Sequence, residues 1–376
     1  STKLRRIIKI KEDIIIFQDC STGFGLDLLS LDVTTWNHER VNSLASQIDQ
    51  FLNGLPPHVD LQFVQEIESG NENTFKNHED LANQCKNTDV IALVHARLEK
   101  LRTRDQNGEI PYHGLKLFVR RPLKRLLSGQ AGFFLKSEKF PEVAEGEFKA
   151  EISESARLKE NIMRSLEAIG LKVQCLSQRV ILEQVYAQWN PRRKDQIDLG
   201  YYDPEYISPS LVFTDSFVTD NGFCIGDVLY RVVSLKSLPD VTTSSMAQIL
   251  RELPFGSKLF LSIHVPDQQK EYESLQTQRR MAFSMARGKR SGVADLESEA
   301  KLQDIEILLA NLIAQGEKVF DISFQILLSA NSEEELEMQV STTLAKVREL
   351  SGAEAMQETL AAFDIFSDFG NFVVNF

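Results

Sequence analysis

The feature that most constrains this chain is a change of hydrophobic period between Asp295 and Ala330. Leu302, Ile305, Leu309 and Leu312 recur at spacings of three and four, the repeat of one helix face. Glu299, Lys301, Gln303, Asp304 and Glu306 fall largely on the other side. Gly316 then stands where a helix end needs a residue tolerant of positive φ. Beyond it the period becomes two. Phe320, Ile322, Phe324, Ile326 and Leu328 alternate with Asp321, Ser323 and Gln325, which predicts a strand with one buried and one polar face. Ser332 and Glu335 have the spacing of a capping box and open a further helix through Leu336, Val340, Leu344 and Val347. Such a helix, strand and helix in succession need a sheet with helices packed against it.

The rest of the chain reads in the same terms. Ile7 to Phe17 predicts one strand, and Phe24 to Val33 a second. Val41 to Gly54 predicts a helix that Pro56-Pro57 cannot continue. Val59, Leu61 and Phe63 alternate as a strand, and Glu68 to Asn77 reads as a loop. Leu81 to Leu101 marks one broken helix or two consecutive ones, before a strand at Leu115 to Val119. From Leu123 to Pro209 the pattern is mainly helical, with helices at Glu151 to Ile169 and Leu176 to Trp189 and a long loop after Arg192. Sheet periodicity returns at Leu211, where Asn221-Gly222 is a hairpin signal. A short helix follows at Thr242 to Glu252, then a strand at Leu259 to Ile263 and a helix at Tyr272 to Arg287.

Two passages repeat. Leu52 to Ile67 leaves a helix, turns at Leu55-Pro56 and enters an alternating strand; Leu250 to Val265 does the same around Leu253-Pro254. Each half then reads strand, helix, strand, helix, strand. The expected fold is α+β: two tandem ferredoxin-like (split β-α-β) halves joined by a helical connector. The expected boundaries are 1–122 for the first half, 123–210 for the connector and long loop, 211–355 for the second half and 356–376 for an apolar tail.

The 376 residues carry a formal net charge of −12, which argues against a dedicated nucleic-acid binder, because phosphate neutralisation needs a concentrated positive face. Cys20, Cys85, Cys175 and Cys224 form no C-x-x-C pair, so neither a zinc site nor a disulfide framework is indicated. Apolar runs such as Ile14 to Phe17 are too short to span a bilayer. Gly256-Ser257-Lys258 and Gly288 to Gly292 lack the order of a phosphate loop. His38-Glu39 and His78-Glu79 lack the second histidine of a zinc helix, since Asn42 and Ala82 stand there. No catalytic, cofactor or metal residue is therefore assigned. Three basic clusters remain: Arg120, Arg121, Lys124 and Arg125; Arg192, Arg193 and Lys194; Arg287, Lys289 and Arg290. The first and third are the candidate partner contacts. Combined with Tyr201, Tyr202 and Tyr206, these clusters also suit a single-stranded DNA- or nucleotide-contacting module.

Arg279-Arg-Met-Ala-Phe-Ser, Val293-Ala-Asp-Leu-Glu-Ser-Glu-Ala, Asp304-Ile-Glu-Ile-Leu and Gly316-Glu-Lys-Val, with Asp227 to Pro239 before them, carry a family likeness. From about Leu211 to Gly352 the chain resembles the N-terminal region of the TraC-type ATPases of conjugation and type IV secretion, the VirB-four class. The resemblance implies a docking and assembly region that anchors the motor to the inner-membrane complex. Its partners would be inner-membrane secretion-system proteins and copies of itself in a homo-oligomeric ring, with nucleic acid an unlikely one. It implies a cytoplasmic location, peripheral at the inner face of the bacterial inner membrane. It also places ATP and magnesium in a separate RecA-like domain, with no cofactor in residues 1–376. The tail from Ala361 to Phe376 is too apolar for a solvated end and is expected to lead toward that domain.

Overall fold

The computed structural model describes residues 7–29, 31, 33, 35–68, 71–106, 109–110, 112–123, 145–193, 207, 211–239, 248–287, 296–350 and 352–368. The chain is α+β and is built on a 12-stranded antiparallel sheet. It divides into two compact units, a larger one of 1–32, 62–262 and 323–376 and a smaller one of 33–61 and 263–322.

The strands are β1 (Ile7–Lys11), β2 (Ile14–Phe17), β3 (Thr22–Leu29), β4 (Asp60–Glu68), β5 (Tyr112–Arg121), β6 (Lys172–Cys175), β7 (Ser216–Thr219), β8 (Gly222–Ile225), β9 (Val228–Ser237), β10 (Ser257–His264), β11 (Asp321–Ala330) and β12 (Glu354–Glu358). Their order is β1-β2-β3-β5-β4-β10-β11-β9-β8-β7, with β6 also on β3 and β12 also on β9. Two four-strand sets follow from this, β6-β3-β5-β4 and β12-β9-β11-β10, arranged head to head about the β4–β10 pair.

In the larger unit both sheet faces are covered. On one, Val64, Phe118, Phe260, Leu327 and Val232 pack with Ile181, Leu182, Val185 and Trp189 of helix α5 (Gln178–Trp189). On the other, Ile67, Val233, Ile326 and Leu328 pack with Leu336, Val340 and Val347 of helix α9 (Glu333–Arg348). The remaining helices of this unit among the described residues include α2 (Glu72–Asn83), α3 (Thr88–Gln106), α4 (Glu145–Ile169), α6 (Gln248–Arg251) and α10 (Ala362–Asp368). The smaller unit holds α1 (His38–Gly54), α7 (Gln268–Arg287) and α8 (Leu296–Gln315). There the Gln268 side chain clamps both backbone groups of Val319, at 2.9 and 3.0 Å, and Lys318 donates to the Leu55 carbonyl at 2.6 Å.

Double coverage changes the strand with which the sequence argument began. Ile326, Leu327 and Leu328 are buried in succession, so the expected polar face is interrupted at Leu327, with Asp321 and Ser323 exposed before it and Ser329 after it. Ile322 is 45% exposed and Phe324 is half-buried, because the helix over that face meets the strand further along. Ile326→Ala is therefore expected to cost about 2–5 kcal/mol, and Phe324→Ala less, when both are compared by chemical denaturation.

Boundary signals in the sequence hold where local chemistry forces them. Gly316 has φ +66 directly after α8, and Ser332 caps α9 by accepting from the Glu335 amide at 3.3 Å. Other expectations change. Ile7 to Phe17 is a hairpin, turned by Glu12 and Asp13 at φ 53 and 61. Part of the expected Glu68–Asn77 loop is the start of α2. Leu176 to Trp189 is preceded by β6, and its helix starts only after the Ser177 cap. The hairpin near Asn221 turns one residue earlier than expected, and Gly222 lies inside β8. A Cβ there would sit 2.2 Å from the Tyr230 carbonyl oxygen, so the close strand approach requires glycine.

Candidate functional site

Within the larger unit a cavity of about 1120 Å³ opens among β4, β5, β9, β10, β11 and α5. A row of charge crosses its floor. Glu66 on β4 takes Lys116 of β5 at 2.5 Å and Lys258 of β10 at 3.1 Å, and Lys258 also reaches Glu68 at 3.6 Å. Antiparallel pairing on both sides of β4 brings these residues side by side. Burial works against the Glu66 charge, but Lys258 and Lys116 outweigh it and hold the carboxyl at about 2. Burial likewise opposes the Lys258 charge, and Glu66 and Glu68 outweigh it, so its pKa rises. Burial pushes the Tyr230 phenol up to about 12.

These three groups thus keep fixed protonation states near neutral pH. A general acid or base works best with a pKa near the operating pH, so the row is built to hold charge in place. His113 also lines the cavity, and its pKa is lowered by burial and then by the nearby Arg251. Among the described residues, the His113 Nδ1, Arg251 Nε and Ser257 Oγ atoms have no hydrogen-bond partner. Among the described residues, no group of three or more His, Cys, Asp or Glu side chains is arranged to hold a metal ion.

The basic residues read from the sequence are placed unevenly. Arg120 is buried, donating to Asp19 Oδ2 at 2.5 Å and to Ser21 Oγ at 2.9 Å. Arg121 pairs with Glu151 at 3.2 Å and with Glu154, both on α4. Both charges are engaged inside the fold. Arg192 is exposed and pairs with Asp227 at 3.1 Å. Lys124, Arg125, Lys194, Lys289, Arg290, the side chain of Arg287 and the three tyrosines at 201, 202 and 206 lie outside the described residues.

A different kind of surface was not singled out in the sequence. In the smaller unit α7 and α8 share a small core of Ala282, Ile305 and Leu309, flanked by Tyr272, Leu275, Leu302 and Leu312. Met281, Met285 and Ile307 stay 58, 61 and 54% exposed. In the larger unit, Leu81 of α2 and Val90 and Leu93 of α3 are also exposed. A mean over the whole sequence hides such residues, because helical periodicity shows which face is apolar but not whether something covers it. Among the described residues, no helix is long and apolar enough to cross a membrane. Comparison of the sequence with protein-family models and with curated proteins found no match.

Proposed function

We propose that this chain is a docking and assembly module of a TraC-like motor ATPase of conjugation or type IV secretion. It attaches through protein partners at the inner face of the bacterial inner membrane and assembles with copies of itself. One observation carries the reading. Two helical pairs, α2 with α3 and α7 with α8, occupy the same place in the strand sequence, between the second and third strands of each four-strand set. Each pair leaves large apolar side chains uncovered. Exposed apolar clusters of this kind mark sites of protein association.

Supporting it is the strand order. Each set, β6-β3-β5-β4 and β12-β9-β11-β10, has its first and second strands separated by the third, and its fourth beside the first. That is the order of a ferredoxin-like sheet, so we read the chain as two such halves with a helical pair inserted in each. The fixed protonation of Glu66, Lys258 and Tyr230 fits a scaffold better than a catalyst. ATP and magnesium chemistry belongs, in this reading, to a separate domain of the motor.

The chain is expected to co-sediment with inner-membrane secretion proteins in cells that make them, and to stay in the soluble fraction in cells that lack them. Fractionation of the two strains, with crosslinking, is the measurement. Equal solubility in both strains with no secretion partner recovered would remove the docking reading. Binding to single-stranded DNA that weakens steeply with salt would favour a nucleic-acid module in its place.

A further inference from the structure

The hairpin of α7 and α8 points to a more specific surface, and we infer that it is the contact by which two copies of this chain pair. The inference deepens the assembly half of the proposed function and rests on that reading only there, since it concerns the purified chain alone. The helices meet through Ala282 on α7 and Ile305 and Leu309 on α8, with Arg279 and Glu306 paired across them at 3.0 Å. The short connection at 288–295 makes them antiparallel neighbours. Two antiparallel helices are related by a two-fold axis normal to their common plane. Residues at equal offsets from the contact positions therefore lie on the same flank. Met281 and Leu308 each precede a contact residue by one, and Met285 and Leu312 each follow by three. These four side chains thus form one apolar flank. Met281 and Met285 are well exposed on it, Leu308 is 39% exposed and Leu312 is partly buried.

Charge decides what covers that flank. The chain as a whole carries −12, so most of its surface repels a second copy. The hairpin departs from this. On α7, Lys270, Arg279 and Arg280 outnumber Glu271 and Glu273; on α8, Glu299, Asp304 and Glu306 outnumber Lys301. One helix is basic, its neighbour acidic, and the pair is close to neutral. In a two-fold arrangement that lays the α7 of one copy over the α8 of its partner, each helix lies beside one of opposite net charge, while Arg279 and Glu306 stay paired with each other on the far flank. The four helices then close as an antiparallel bundle with the methionines and leucines inside. The size also fits. Helices of 20 residues present a face about 30 Å long and, for two side by side, about 20 Å wide. That approaches the roughly 800 Å² per partner of a stable interface. Methionine, which adapts its shape to the facing surface, suits such a seam.

Sedimentation velocity on the whole chain from about 1 µM to about 100 µM tests it. A concentration-dependent dimer is expected, weakened at least about tenfold by Met285→Glu and further by Met281→Glu with Leu308→Glu. Ile307 lies two residues before Leu309, on the side of α8 turned away from α7. Ile307→Glu should therefore leave the dimer intact, and it controls for a general effect of added charge. Far-UV circular dichroism should show all variants folded, because the substituted positions are exposed. A monomer at every concentration would overturn the inference. So would a dimer indifferent to the flank substitutions, or one weakened equally by Ile307→Glu. Failure to recover secretion proteins from cells would leave this result standing, and the reverse also holds.

Discussion

Phe366→Ala is expected to lower the free energy of unfolding by about 3–5 kcal/mol. Phe366 is 1% exposed and sits on α10, inside an aromatic cluster. Its ring centroid lies 4.7 Å from Phe223, 5.3 Å from Trp189 and 5.7 Å from Tyr230. Phe223 and Tyr230 stack at 5.1 Å with an interplanar angle of 3° across the β8–β9 pair, so the cluster joins the sheet to α5 and α10. Truncation removes one ring from a site whose walls belong to three different elements. They cannot collapse together, and a cavity remains. Leu360, two residues before the helix, is 89% exposed and serves as the control, with Leu360→Ala expected within about 0.5 kcal/mol of wild type. Urea denaturation with an unchanged m-value is the measurement. Equal small losses in both variants would mean that α10 does not dock on this core.

That cluster shows what the sequence made legible and what it did not. The apolar character of Ala361 to Phe376 is plain in the sequence, and residues 369–376 of it lie outside the described residues. In the structure, Ala362 and Phe366 are buried in this chain's own core, with Phe363 and Ile365 packed against it. Composition reveals that a segment needs cover but not which surface supplies it. The same limit appears in α5. The spacing of Ile181, Leu182, Val185 and Trp189 marks an apolar face, but the sheet core that buries it is built from strands distant in sequence, which a local periodicity cannot reveal. The Glu12-Asp13 turn gives no sequence signal, since neither residue is the Gly or Asn that usually marks positive φ. Boundary chemistry, in contrast, is contained within a few residues, which is why Gly316 and Ser332 were readable. The charged row of the cavity was invisible for the converse reason. Glu66, Lys116 and Lys258 share no motif, and only the order β5-β4-β10 brings them together.

That row predicts how the fold responds to acid. Glu66, Lys116 and Lys258 have side chains only 19, 17 and 32% exposed, so their charges are weakly screened. The Glu66 carboxyl titrates at about 2 in the fold against an ordinary value of 4.5. A depressed carboxylate pKa means that the folded state releases its proton more readily than the unfolded chain. The stabilisation is therefore complete above pH 4.5 and is lost as the pH falls from there toward 2. Its size at neutral pH is about 3 kcal/mol by linkage. Glu66→Gln keeps the shape but leaves two ammonium groups facing each other without their shared counter-charge, which is expected to cost about 3–5 kcal/mol at pH 7. Lys116→Met should cost less, because Glu66 retains Lys258 and Glu68 remains beside it. The decisive measurement is stability against pH for wild type and Glu66→Gln, each by urea denaturation at a series of pH values. The two curves should lie well apart at neutral pH and converge as the pH drops below 4.5, since protonated Glu66 and Gln carry the same charge. Curves that stay parallel through that window would show that Glu66 contributes no charge-dependent stability, and the cavity floor would then have to be held by packing alone.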